Sequence, residues 1–310
     1  MAGQDLVPTL HELSAPELAR TDSRYPKWAT MCLLRLLGLP VLNAVLITPG
    51  EHISRSAAAI HAIVAATGQQ MLTLRSDGGA ETRRYYRGGN TFHIDELQMR
   101  AHALLNQGRA VILLEPTNRY TNRLTALLRM DRPSAGQAGQ FTIEALGPGY
   151  DAADLTRGGV SPQITVTALN IDWSYYRQPW LSDLRLSQNQ SPGAEQTRRR
   201  QHLARLGTSV LTDTGHLDSR LPRADPAATA EAWLRQRGYL ELWHSQDITD
   251  LIARRAREWF DNAFLIAKRH RNRSWTCLAS ATSDLGSGRW IFWDVVDGSN
   301  KYGTISKGKV

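Results

Sequence analysis

Four stretches of the 310-residue chain combine cations, glycines and carboxylates in patterns that can hold a phosphorylated ligand. Tyr25-Pro26-Lys27-Trp28 opens a helical pattern that ends at Gly38-Leu39-Pro40-Val41. Leu74-Arg75-Ser76-Asp77-Gly78-Gly79-Ala80-Glu81 is followed by Gly88-Gly89-Asn90-Thr91-Phe92. Ala110 to Glu115 is an apolar run closed by Pro116. Ile143-Glu144-Ala145-Leu146-Gly147-Pro148-Gly149-Tyr150 precedes Arg157-Gly158-Gly159 and Ser161-Pro162. Lys27 and Arg75 can neutralise phosphate oxygens, and glycine-rich polar loops, such as the one holding Gly147 and Gly149, bring backbone N–H groups against them. The main chain at Glu115 offers the donor and acceptor that an adenine edge needs. Glu144, just before two glycines, can accept from a ribose hydroxyl.

Charge composition singles out one of these residues. The chain carries 37 Lys and Arg against 29 Asp and Glu, a formal net charge of +8, yet only five of the basic residues are lysines. Lys27 is the only lysine in the first 267 residues. A compact ammonium and a planar guanidinium fork are not interchangeable, so a single lysine in an arginine-rich chain marks a place where the ammonium itself is wanted. The positive excess gathers after residue 197, in Arg198, Arg199 and Arg200 and around Arg254. That surface fits an acidic partner or nucleic acid, although few aromatic residues interleave with it to stack on bases. A solvated helix face is the simpler use of the same residues.

The elements that must position these groups are mixed. Helical periodicity covers Ser23 to Leu37, Ile53 to Thr67 and Leu97 to Asn106, and apolar runs at Ala44 to Thr48, Met71 to Arg75, Ala110 to Glu115, Leu124 to Arg129 and Phe141 to Leu146 read as strands. The polar run Ser76 to Asn90 reads as a loop. Further on, Ala227 to Arg237 and Ile248 to Arg271 are helical, and Trp275 to Ala281 with Arg289 to Val296 form a hairpin before a loose tail. The expected class is α+β: two lobes divided at 108/109, with the ligand between them and helical segments in the second half. A hydrophobic content of 42% and a charged content of 21% exclude disordered and membrane classes. There is no signal-peptide pattern at the N-terminus and no span long enough for a bilayer. Two cysteines, Cys32 and Cys277, supply neither a disulfide framework nor a zinc site, which points to a reducing cytoplasm.

Taken in order, the four stretches resemble the ATP-grasp nucleotide-binding domain of phosphoenolpyruvate synthase, pyruvate phosphate dikinase and rifampin phosphotransferase. Lys27 and Gly38 to Val41 stand where that family has its Gly-Gly-Lys, helix and Gly-Leu-Pro-Val-Pro. Leu74 to Glu81 is similar to its Val-Arg-Ser-Ser-Ala loop, Val111 to Glu115 to its hinge strand, and Ile143 to Tyr150 to its Ile-Glu-Ala run. Gly288 to Asp294 resembles its closing strand, with Asp294 in place of the family's glutamine. The resemblance implies ATP as ligand, with Lys27 and Arg75 on its phosphates, Glu115 at the adenine, Glu144 near the ribose and Asp294 on a bridging Mg²⁺. Asp297 and Asn300 are the residues able to complete that metal set.

This sequence departs from the family where metal chemistry is concerned. Thr282 stands where a glutamate is expected, and Val296 where an arginine is expected. No Thr-Ser-His phosphohistidine motif is present. Two functions follow from the resemblance: an ATP-dependent phosphotransferase (a kinase in the broad sense) or ligase acting on an acceptor, or a degenerate nucleotide-binding or scaffold module within a multi-protein system.

Overall fold

The computed structural model describes residues 7–22, 24–51, 53–78, 90–116, 122–131, 139–147, 150, 155, 162–171, 184–188, 197, 200–201, 203–208, 225–236, 255, 258–262, 275–282 and 290–297. The architecture is α+β, and its strands form two separate, fully antiparallel sheets. In chain order the first part contains α1 (Ala15–Ala19), α2 (Pro26–Leu36), β1 (Ala44–Ile47), α3 (Ile53–Thr67), β2 (Met71–Asp77), β3 (Asn90–His93), α4 (Ile94–Leu105) and β4 (Ala110–Leu114). The second contains β5 (Asn122–Asp131), β6 (Gly139–Leu146), β7 (Ile164–Ile171), β8 (Leu184–Gln188), α5 (Pro226–Gln236), β9 (Trp275–Thr282) and β10 (Trp290–Asp297).

The smaller sheet has the order β1-β4-β2-β3. Its strand β4, the expected hinge, is a central strand, paired through Leu113 with Val45 on one side and Leu74 on the other. All five residues of β4 are buried, which explains why the run is apolar without alternation. One face of this sheet carries Val45, Ile47, Leu72, Leu74, Val111 and Leu113 against α3 and α4. The other carries Ala44, Ile112 and Leu114, which join Trp28, Met31 and Cys32 of α2 in a larger core. The stretch expected as a loop from Ser76 begins later than that, because Ser76 and Asp77 still pair with Val111 and Ala110.

The larger sheet has the order β10-β9-β5-β6-β7-β8, and the expected C-terminal hairpin is its β9–β10 edge. Leu124, Ala126, Leu128, Phe141, Ile143, Ala145, Ile164 and Val166 alternate onto one face and complete the core that holds α2. Trp259 and Phe260 close it, with Phe260 edge-on to Phe141 and Trp259 edge-on to Trp290. The two sheets therefore share a hydrophobic cluster, and a backbone bond from Phe292 N–H to the Pro40 carbonyl (2.8 Å) ties β10 to the segment after α2. No helix among the described residues is long and apolar enough to cross a membrane.

Candidate functional site

Lys27 is positioned by a helix start that depends on a distant carboxylate. Pro26 occupies the first turn of α2, where its fixed φ suits a helix and its missing N–H costs nothing. Tyr25 stands at the cap position, and its side chain makes no capping bond. The cap comes instead from the end of β2, where Asp77 accepts from the N–H groups of Trp28 (2.9 Å) and Lys27 (3.3 Å), and from that of Gly78 (2.9 Å). A carboxylate at a helix N-terminus meets both the unsatisfied donors and the positive end of the dipole. Asp77 is fully buried, and that burial raises its pKa above the ordinary value, opposed by the three backbone donors and the Lys27 charge.

The Lys27 ammonium donates to the Ser76 carbonyl at 2.7 Å, so α2 and β2 are clamped at the same end by a main-chain and a side-chain bond. Gly78 makes the approach possible: its φ is +72°, and a Cβ there would lie 3.1 Å from both the Arg24 carbonyl oxygen and the Tyr25 ring. Arg75 is half-buried and pairs with Ile112, while Asp77 pairs with Ala110, so Arg75 and Asp77 share the sheet face that looks toward α2. The structure thus gathers Lys27, Arg75 and Asp77 at one end of one strand, in a setting of two cations and one buried carboxylate. Glu115 follows β4, half-buried, with its N–H on the Asn43 carbonyl (3.0 Å).

Glu144 belongs to the other sheet. Its neighbours Ile143 and Ala145 face the shared core, so Glu144 takes the opposite face with Thr125, Leu127, Arg129 and Thr142. It is buried, and desolvation raises its carboxyl pKa while the positive charge of Arg129 pulls it down. Gly147 is buried at the end of the same strand, where its N–H donates to Gln163 Oε1 (2.7 Å). Gly149 lies outside the described residues.

An irregularity in β10 decides where Asp294 falls. Phe292 pairs with Ala279 and Asp294 with Leu278, so Trp293 is the extra residue of a bulge. Without it, Asp294 would share the core face with Phe292; with it, Asp294 enters the row Asp294–Leu278–Leu127–Glu144–Thr165. Glu144 and Asp294 are three strand spacings apart in that row, about 14 Å. Asp297 pairs with Trp275, in the row of Met130 and Phe141, and so holds a position of the opposite face. Asn300 lies outside the described residues. Among the described residues no group of three or more His, Cys, Asp or Glu side chains comes together to hold a metal ion.

Comparison with known proteins adds a loose likeness. No protein-family model and no curated protein matches the sequence. Among solved structures, a D-cycloserine synthetase is similar over 90% of this chain and 64% of its own, with 11% identity and a TM-score of 0.39. An N5-carboxyaminoimidazole ribonucleotide synthetase, solved as an ADP complex, is similar over 88% of this chain and 45% of its own, with 8% identity and a TM-score of 0.38. The chain spans less than two thirds of the length of either protein.

Two functional-looking residues escape a reading of the sequence alone. Asp77 looks like the end of a strand, since its capping partner Trp28 is 49 residues away. Arg129 sits in the run Leu124 to Met130, and its one signal is that it is the only charged residue of that run. Of the basic surface, Arg200 is exposed and lies 3.9 Å from Asp225, which also caps α5 by accepting from the Ala227 N–H (2.9 Å). Arg198, Arg199 and Arg254 lie outside the described residues.

Proposed function

We propose that the protein binds an adenine nucleotide, with the phosphates at Lys27 and Arg75, and uses ATP for phosphoryl transfer or ligation on an acceptor. What supports this reading most is the placement of the Lys27 ammonium, 2.7 Å from the Ser76 carbonyl at the end of the strand that carries Arg75. Phosphate oxygens would compete with Ser76 for the ammonium. The ordered resemblance to ATP-grasp nucleotide-binding domains supports ATP over other phosphorylated ligands. Glu115 would provide main-chain contacts to the adenine. Glu144, Gly147 and Gly149 would enter only if the ligand reached the larger sheet.

Mg²⁺ is commonly held by one or two carboxylates together with substrate phosphates, so Asp294 fits as a single protein ligand. Asp297, assigned to the opposite face, does not share that position. When bound, the ion would neutralise charge on the transferring phosphoryl group. The part played by Lys27 and Arg75 is to bind and orient the phosphates, and positioning of this kind accounts for most of such catalysis.

Thermal unfolding with ATP, ADP, AMP and GTP, with and without Mg²⁺, tests the reading. A ligand at 100 times its Kd stabilises the native state by about 2.7 kcal/mol, a shift of several degrees. Lys27→Ala and Arg75→Ala should each abolish the ATP shift; unchanged shifts in both variants refute it. A second reading, nucleotide binding without turnover, is favoured by Thr282 and Val296 standing where the resembling family has a glutamate and an arginine. Protein partners, and nucleic acid at the surface of Arg198, Arg199, Arg200 and Arg254, belong to that scaffold reading. A steep fall of nucleic-acid affinity with salt would support such contacts.

A further inference from the structure

We propose that the guanidinium edge of Arg129, with Glu144 beside it, is a subsite on the larger sheet for an oxyanion with two adjacent oxygens, a carboxylate or a phosphoryl group. The inference goes beyond the nucleotide reading and stands without it.

Arg129 Nε and Nη2 are both buried, and neither meets a hydrogen-bond partner among the described residues. These two nitrogens form one edge of the planar guanidinium, and their N–H bonds run parallel, the arrangement that grips two oxygens of one anion at once. An arginine cannot escape by losing its proton. Leaving charged donors buried and unsatisfied is costly, more so than for a neutral group. A bound anion would remove that cost.

The register gives Arg129 its neighbours. Thr142, directly opposite Arg129 on β6, already accepts from Gln140 Nε2 at 3.0 Å. Thr276 on β9 is the residue opposite on the other side. Glu144, diagonally placed, acts on Arg129 through charge alone. The face is also distinct from the Lys27 group, because Arg129 lies opposite the core face that packs against α2.

The shared chemistry has two sources, a phosphate of a nucleotide or the carboxylate of a second substrate. The test is unfolding and calorimetric titration of the full chain with sodium phosphate and with sodium acetate, each against sodium chloride at equal ionic strength. At least one of the two anions should stabilise wild type. Arg129→Met should weaken that binding by at least about tenfold, and Arg129→Lys should restore it only in part, because an ammonium lacks the fork. Phosphate stabilisation that ATP competes away assigns the subsite to the nucleotide; acetate stabilisation that persists at saturating ATP assigns it to an acceptor carboxylate. Lys27→Ala keeps the two ideas separable, since it should remove ATP binding and leave the response at Arg129 intact. If Arg129→Met does not fold, the doubly neutral pair Arg129→Met with Glu144→Gln replaces it. No response to either anion in wild type, or an equal response in the Arg129 variants, overturns the proposal.

Discussion

Replacing Asp77 by alanine tests the link between the fold and the candidate phosphate site, because one buried carboxylate holds both. The substitution removes the acceptor for three backbone N–H groups, at 2.9 Å from Trp28, 2.9 Å from Gly78 and 3.3 Å from Lys27. The first two come from buried residues, so water does not readily replace the lost bonds. Losing a helix cap costs about 0.5–2 kcal/mol, and leaving a buried donor unsatisfied about 1–3 kcal/mol. Relief of the buried carboxylate returns part of this, which leaves a net loss of about 2–4 kcal/mol. At roughly 2 °C per kcal/mol for a chain of this length, the melting temperature should fall by about 4–8 °C. Asp77→Asn keeps one acceptor oxygen and should fall by less. The second readout is ATP affinity, which should drop in Asp77→Ala because the first turn of α2 no longer holds Lys27 against Ser76. A melting temperature within 1 °C of wild type, in a variant that folds, would refute the capping argument.

Three other outcomes follow from the same structure. Glu144 has its carboxyl pKa raised above 4.5 by burial, so the folded state holds the proton more tightly than the unfolded chain. The stabilisation this gives is complete below the ordinary glutamate value and is lost as pH rises through the folded one. Melting curves against pH should therefore show wild type losing stability relative to Glu144→Gln over that window, and parallel curves would contradict the assignment. Gly78→Ala should destabilise more than Gly108→Ala: both positions have φ of +72°, but only at Gly78 does a Cβ meet neighbours, the Arg24 carbonyl oxygen and the Tyr25 ring at 3.1 Å. The expected difference, read by chemical denaturation, is about 1–2 kcal/mol, since crowding is added to the same backbone strain. Cys32 is buried, and burial pushes its thiol up to about 12, so a thiol reagent at pH 8 should leave it unmodified in the native protein and label it on unfolding.

Local patterns in the sequence were enough to read most of the elements. The end of α2 before Gly38, where φ is +75°, follows from residues within the pattern itself, while the helix read from Ser23 starts at Pro26. Strands β4, β5 and β6 were legible as apolar runs, and the isolated Lys27 drew attention to the place where α2 meets β2. What escaped depends on contacts between distant parts of the chain. Asp77 is a cap only because β2 ends beside α2. Arg129 is a candidate ligand group only because its edge is buried without a partner, which no composition or spacing records.

The bulge at Trp293 shows how far one local irregularity can redirect the reading of a site. Counting residues along β10 puts Asp294 two positions after Phe292, a core residue, and predicts a carboxylate aimed at the hydrophobic cluster. That arrangement would bury an unpaired charge, which costs several kcal/mol. The bulge inserts one residue, and the register then assigns Asp294 to the row of Leu127 and Glu144. Asp297, three residues on, takes the other face by strand alternation alone, so two carboxylates that look like a pair in the sequence hold opposite faces. The larger sheet therefore has an apolar face closed by the shared core and a face where Arg129, Glu144 and Asp294 have their positions. Lys27, on α2, and Arg75, on β2, lie at the end of the smaller sheet. A ligand that used both sets of groups would have to extend from the end of β2 to this second face, so tests at Lys27 and at Arg129 probe separate contacts, and a loss at one does not predict a loss at the other.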